Sequence, residues 1–134
     1  MSLTETDAQK ILQAAQAKAK ELGAKVSISI VDARGDLLAM IRLDGAKWHT
    51  PVMAQSKAAA SSYFGMDSKV VGETIPKLAT YALESFMMNE SGNIAPVQGA
   101  VPITRNGEVI GGIGASGASA QDDEDVSRAG ASAL

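Results

Sequence analysis

The sequence contains no cysteine and only one histidine, and these two scarcities exclude several kinds of site. Without cysteine there are no disulfides, no thiolate metal ligands and no cysteine nucleophile, and the redox compartment stays undecided. With one histidine and no G-x-S-x-G segment, the sequence also argues against a Ser-His-Asp hydrolase. Any chemistry must therefore rest on donors other than a thiolate or a histidine cluster.

Aromatic residues and long apolar runs are scarce as well. Aromatics make up 4% of the chain, and its 12 basic residues are scattered through a sequence of net charge −3. A nucleic-acid partner is not expected, because there is neither a basic patch nor a stacking surface. No apolar run approaches the roughly 20 residues that span a bilayer, and the N-terminus has no apolar leader segment. We expect no membrane partner and a cytoplasmic protein, or the mature form of a secreted one.

The chain is nevertheless rich enough in apolar residues to fold on its own. It has 134 residues, of which 46% are hydrophobic and 20% charged. This length and balance predict one domain over residues 1–134 with a self-sufficient core.

The first half of the chain predicts a helix followed by a hairpin. Thr4 and Asp7 form the pattern of a capping box, and apolar residues at helical spacing continue to Gly23. Residues 26–30 then alternate apolar and polar side chains, the pattern of a half-buried strand. After a turn at 32–36, residues 37–43 form the returning strand, so 26–43 predicts an antiparallel hairpin. Thr50 followed by proline predicts the N-cap of a helix that ends at Gly65.

The second half predicts short helices, a second hairpin and a last helix. Asp67 or Ser68 is expected to cap a short helix to about Gly72, Pro76 to open another that continues to Phe86, and residues 89–99 to form a loop. Strands at 99–105 and 108–115 flank Asn106-Gly107, the signal of a two-residue turn. Ser119 caps the last helix. Strands that come as hairpins predict an antiparallel sheet and the α+β class.

His49 is the first candidate for chemistry, since its pKa lies close to neutrality. It stands just ahead of the helix that starts at Thr50, where it could be an axial metal ligand or a general base. With no second histidine or cysteine to complete a metal set, a partly exposed loop histidine is the favoured interpretation.

Lys57 is the second candidate, on the alanine-rich helix segment QSKAAASS. Among small neighbours such a lysine could point into a pocket and hold a carboxylate. Composition alone favours the alternative, a solvated lysine on an outer face.

The remaining motifs have structural interpretations that we favour. The glycines from Gly111 to Gly114 close an antiparallel hairpin, so they are expected to admit a packed helix; a nucleotide cofactor is not expected. The acidic residues 122–125 are expected to be solvated and to complement the dipole of the last helix. The methionines, Met87 and Met88 among them, are expected to fill the core.

Three blocks of sequence resemble the GlcG/HbpS family, which is described as haem-degrading or haem-binding and includes the C-terminal domain of PduO-type proteins. The first is VDARGDL at 31–37 with RLDGA at 42–46, similar to V-D-x-x-G-x-L and x-D-G-A. The second is Lys57-Ala58 with FGM at 64–66. The third is VPI at 101–103 with GEVIGGIGASG at 107–117 and the following D-E-x-V, similar to G-x-x-I-G-x-I-G-V-S-G. The resemblance covers residues 4–134.

The resemblance implies a profilin-like sheet with flanking helices, homo-oligomers, and haem as a cofactor. Members are expected to hold haem with an axial donor and a cation for the propionates. The N-terminal helix has no histidine, so the axial donor would have to be His49, Lys57, Tyr63, Tyr81 or a methionine. Lys57 or Arg42 would supply the cation.

Three hypotheses for the function follow. The chain binds haem; or it is a small enzyme that acts on a carboxylate-bearing metabolite, with Lys57 as anchor and His49 or Asp44 as acid or base; or it is a structural partner of another enzyme. In the first two cases we expect one cleft. Its binding residues are His49, Lys57, Thr50, Asp44, Gly114 and Ser116, with His49 also the metal ligand.

Overall fold

The computed structural model describes residues 2–77 and 94–134. In these ranges the elements are α1 (Glu5–Leu22), β1 (Ser27–Asp32), β2 (Leu37–Arg42), α2 (Thr50–Phe64), α3 (Ser68–Thr74), β3 (Ala100–Arg105), β4 (Glu108–Ser116) and α4 (Ala120–Ala131). Most of the helix predicted to follow Pro76, including Tyr81, lies outside the described residues, as do Met87, Met88 and the first half of the predicted loop. Four helices and an antiparallel sheet in the described ranges confirm the predicted α+β class.

The two predicted hairpins form one four-stranded sheet in the order β2-β1-β4-β3. They join through β1 and β4, which run antiparallel with Ser27 opposite Ser116 and Ile30 opposite Ile113. The two-residue turn is confirmed: Asn106 and Gly107 both have positive φ, at 53° and 79°. Such a turn matches the twist of the flanking strands, and it fixes the register of β3 against β4.

Helices α1 and α4 cover one face of the sheet. The core between them is built from fully buried branched aliphatic side chains, among them Ile11, Ile28, Ile30, Ile103 and Ile113. Alternation along the strands sends Ile28, Ile30, Ile103 and Ile113 to one side of the sheet. Gly130 lets α4 approach closely, because a Cβ there would lie 2.6 Å from Ile113 Cδ1.

Helix α2 covers the opposite face, and it lies much closer to the strands. A Cβ at Gly112 would overlap the carbonyl oxygen of Ala58, and a Cβ at Gly114 would overlap that of Ala54. The glycines therefore let a helix pack directly on the sheet, as the sequence predicted. This close packing fixes the distance between α2 and the C-terminal end of β4.

The helices begin where the sequence predicted, except α2. Thr4 and Asp7 form the capping box of α1, and the Ser119 hydroxyl caps α4 by accepting from the Asp122 N–H at 3.1 Å. Thr50 is not the N-cap of α2, because His49 occupies that position. The Thr50 hydroxyl is instead buried against β1. It donates to the Lys47 carbonyl at 2.8 Å and therefore accepts from Ser27 Oγ, also at 2.8 Å.

Candidate functional site

A cleft of about 430 Å³ lies where the start of α2, the end of β4 and the start of α4 meet. Helix α2 contributes Thr50 and Lys57, strand β4 ends in the cleft at Ser116, and α4 contributes Asp123. Lys47 and His49 form one rim, and Val97 and Gln98 form another. The volume lies within the usual range for small-molecule sites.

Lys57 is buried at the inner end of this cleft, so the prediction of a solvated lysine is wrong. Its side chain is 6% exposed, and its Nζ donates to the Ala115 carbonyl at 3.1 Å and to Asp123 Oδ2 at 3.2 Å. The small residues around it let α2 lie so close to the sheet that this side chain cannot reach bulk water. A buried ammonium needs a paired charge, and Asp123 provides one.

Asp123 is the second departure from the sequence prediction, which placed residues 122–125 in solvent. Its side chain is 4% exposed. Besides accepting from Lys57, it accepts from the Ala118 N–H through Oδ1 at 3.0 Å. The pair thus ties α2 to the start of α4 and holds the turn after β4 in place.

Burial dominates the titration of both groups. It lowers the pKa of the Lys57 ammonium from its ordinary value of 10.5 and raises the pKa of the Asp123 carboxyl from 3.8, because desolvation penalises each charged form. The attraction between the two charges opposes both shifts. For each group, the loss of hydration on burial therefore outweighs the attraction to its partner.

The rim near His49 is open, in contrast to the inner end. His49 is exposed at the N-cap of α2, as expected for a loop histidine, and its ring meets Trp48 edge-on with centroids 5.4 Å apart. Trp48 is 82% exposed. The neighbouring Lys47 is also exposed, and no described residue pairs with its ammonium. Imidazole and ammonium groups thus border the mouth of the cleft, and the indole of Trp48 packs against the imidazole.

The structure brings four of the six predicted binding residues together and separates two. His49, Thr50, Lys57 and Ser116 all line the cleft. Asp44 instead borders a different hollow, with Arg42 and Lys20. Gly114 lies beneath α2, where it contacts the main chain at Ala54.

Sequence reasoning missed Asp123 and Lys47 as parts of this cleft. A buried lysine requires an acid partner, so the four consecutive acidic residues at the start of α4 held the signal for Asp123. Which of the four turns inward depends on the packing of α4, because Val126 and Ser127 are buried on the same side. Lys47 had no comparable signal, since it lies in a turn whose path is set by Thr50.

Two features are absent from the described residues. None of the helices there is long and apolar enough to cross a membrane. The described residues also contain no group of three or more His, Asp or Glu side chains able to hold a metal ion.

The model of a protein family described as haem-degrading, HbpS-like, matches residues 3–132. The corrinoid adenosyltransferase PduO of Citrobacter freundii is 31% identical over 135 residues, which is 100% of this chain but 39% of that protein. The chain thus spans about two fifths of the length of this curated relative. Protein GlcG of Escherichia coli K12 is 27% identical over 114 residues, or 85% of this chain and 81% of GlcG.

Two solved structures share the fold over the whole chain. The PduOC:haem complex is 28% identical with a TM-score of 0.84, covering 100% of this chain and 96% of that one. A variant of HbpS from Streptomyces reticuli is also 28% identical with a TM-score of 0.84, covering 100% of this chain and 88% of that one.

Proposed function

The chain belongs to the HbpS-like family, and on that premise we propose that it binds haem at the mouth of the cleft, with His49 as the axial ligand. The observation that carries the proposal is the position of the only histidine. It is exposed on the rim of the cleft, next to Trp48 and to an ammonium that no described residue pairs with. The solved haem complex of a relative with the same fold supports it.

The residues at the mouth match the chemistry of haem. An axial donor, a cation for the propionates and apolar surface for the macrocycle are needed. His49 supplies the donor, Lys47 the cation, and Val97 apolar surface in the cleft lining. The exposed side chains of Trp48 and Val52, on either side of His49 and Thr50 in the sequence, would extend that apolar surface. Bound haem would supply an iron centre for ligand binding or electron transfer.

In this proposal Lys57 is not the cation for a haem propionate, although the family resemblance implied Lys57 or Arg42 for that role. Its charge is already balanced by Asp123, 3.2 Å away, so it is a poor counter-ion for a second carboxylate unless another cation contributes. Arg42 lies in the separate hollow near Asp44. Lys47 is therefore the cation that we assign to a propionate at the rim.

A haem titration followed by optical spectroscopy tests the proposal. His49→Ala is expected to shift or abolish the Soret band of the complex, while Lys10→Ala, an exposed change on α1, leaves it unchanged. Lys47→Ala is expected to weaken binding by up to about fivefold, as for an exposed ion pair, with exposed Lys69→Ala as its control. An unaltered Soret band in His49→Ala would remove His49 as the ligand.

Self-association is a second part of the proposal. The exposed apolar side chains Trp48, Val52, Tyr63 and Phe64 lie at the two ends of α2, and Ala14 and Ala17 leave a shallow outer side on α1. A second copy would cover such surfaces and give the macrocycle a second apolar wall. Sedimentation is expected to detect a species larger than the 13.8 kDa chain at micromolar concentration; a monomer would contradict this part.

A further inference from the structure

We propose that the inner end of the cleft is a carboxylate-binding subsite, in which Lys57 Nζ and Ser116 Oγ donate hydrogen bonds to one carboxylate group of an organic acid. The subsite is distinct from the rim that bears His49. It is formed by α2 and the last residue of β4, two elements whose separation is fixed by the contact between Gly114 and Ala54. Binding there does not require haem.

Lys57 has a donor left over for a ligand. An ammonium carries three N–H groups, and the described residues accept two of them, the Ala115 carbonyl at 3.1 Å and Asp123 Oδ2 at 3.2 Å. The side chain borders the cleft although it is 6% exposed. The third N–H therefore belongs to the cleft or to whatever occupies it.

Ser116 provides the second donor. It is 8% exposed and lines the cleft, and its hydroxyl has no hydrogen-bond partner in the described part of the chain. The unpartnered hydroxyls that are enclosed on all sides are those of Ser29 and Ser61, and neither lines the cleft. The Ser116 hydroxyl instead opens onto the cleft that Lys57 also lines, where it can donate to the same acceptor as the ammonium.

The charges around the cleft favour an anion as that acceptor. Lys47 and Lys57 contribute two positive charges and Asp123 one negative charge, so the lining carries one positive charge in excess when His49 is neutral. Both Asp123 oxygens already accept hydrogen bonds, from Lys57 and from the Ala118 N–H. A ligand with one carboxylate would bring the lining to neutrality.

The carboxylate could come from two sources, a free organic acid or a propionate of haem. Propionate is the probe that represents both, and propionamide is its uncharged counterpart. Propionate is titrated into the haem-free full chain by NMR, and saturable shifts are expected at residues of the cleft. Propionamide is expected to bind weakly, since hydrogen bonds to a charged acceptor are the stronger ones.

Ser116→Ala is the decisive variant, because it removes the hydroxyl and leaves the ion pair intact. It is expected to weaken propionate binding by about tenfold, the loss of one hydrogen bond to a charged group. Ser29→Ala is the matched control, a buried serine with an unpartnered hydroxyl on the same face of the sheet, and it should bind propionate as the wild type does. Lys57→Met combined with Asp123→Leu should abolish binding without leaving an unpaired charge.

The outcomes also separate this subsite from the proposed haem site. Propionate binding that depends on Ser116 supports the subsite with a free acid as its ligand, whether or not haem binds. If propionate does not bind but Ser116→Ala alone weakens haem binding, the carboxylate is the one on haem. If Ser116→Ala changes neither propionate binding nor haem binding, the subsite does not exist. The result for His49→Ala still decides the haem proposal on its own.

Discussion

The two faces of the sheet are built from opposite kinds of residues, and the difference locates the site. The face toward α1 and α4 is packed with large aliphatic side chains such as Ile28, Ile103 and Ile113. The face toward α2 consists largely of glycine, alanine and serine, and Lys57 of the buried ion pair lies on this side. Large side chains provide apolar burial, whereas small ones let a helix main chain approach the strands.

Close approach has a chemical consequence on the α2 side. The layer between α2 and the strands, called the thin face below, is made of small side chains. It encloses polar groups that would otherwise reach water, including Ser27, Ser29, Thr50 and Lys57. Each must find a partner or cost stability. The aliphatic face stabilises the fold through burial, while the thin face positions donors and acceptors, so substitutions on the two faces should behave differently.

The largest effect on the free energy of unfolding is expected when the buried ion pair of Lys57 and Asp123 is broken. Lys57→Met removes the ammonium and leaves the Asp123 carboxylate buried without its cation, so the variant should lose about 3–5 kcal/mol of unfolding free energy. Chemical denaturation measures the loss. A loss below about 1 kcal/mol would show that Asp123 reaches solvent once Lys57 is gone, as for an exposed pair.

Lys57→Met combined with Asp123→Leu is the control, and it should be close to neutral or stabilising, because no charge is left to desolvate.

The difference in stability between this double variant and the wild type should depend on pH in a definite direction. Burial raises the pKa of Asp123 from 3.8, so the folded protein binds more protons than the unfolded chain above that value. Wild-type stability from this group is complete below 3.8 and falls as pH rises through the raised pKa. Any advantage of the double variant should therefore shrink as pH is lowered from neutral toward 3.8.

A pair of one-carbon changes compares the faces directly. Gly114→Ala adds a methyl group that meets the Ala54 carbonyl under α2, and it should cost about 1–3 kcal/mol through overpacking. Ile30→Val removes a methyl group from the aliphatic face and should cost about 0.5–1.5 kcal/mol. Thermal and chemical denaturation of both variants provide the comparison. Equal losses would mean that α2 shifts to accept the methyl group, and that the thin face is not rigid.

The sequence was sufficient for the fold because its signals there are local. Asn106-Gly107, the Thr4–Asp7 capping box and the hairpin within 26–43 each depend on near neighbours, and all three appear in the structure as predicted. The prediction of a half-buried first strand is wrong, because Ser27 and Ser29 are buried beneath α2. The sequence also predicted that the two hairpins share one sheet, but their joining through β1 and β4 is known only from the structure.

The site depended on contacts between distant residues, which local patterns do not encode. Lys57 and Asp123 are 66 positions apart, so the burial of Lys57 could not be read from its helix alone. Thr50 resembled an N-cap, yet its hydroxyl bonds Ser27 on a strand 23 positions earlier. Asp44 shares a sequence block with the residues before α2, but the turn after β2 directs it to another hollow.

The smallest effect, and the sharpest test of the thin face, comes from two serines on β1. Ser27 and Ser29 are both fully buried beneath α2, but Ser27 donates to Thr50 Oγ1 at 2.8 Å, whereas the Ser29 hydroxyl has no partner among the described residues. Ser27→Ala should lose about 0.5–1.5 kcal/mol, the net worth of one hydrogen bond. Ser29→Ala should be neutral or stabilise by up to about 1 kcal/mol, because it removes a desolvated hydroxyl that gains nothing in return. Chemical denaturation of the two variants side by side measures the difference; a loss for Ser29→Ala as large as that for Ser27→Ala would mean that a buried water satisfies Ser29.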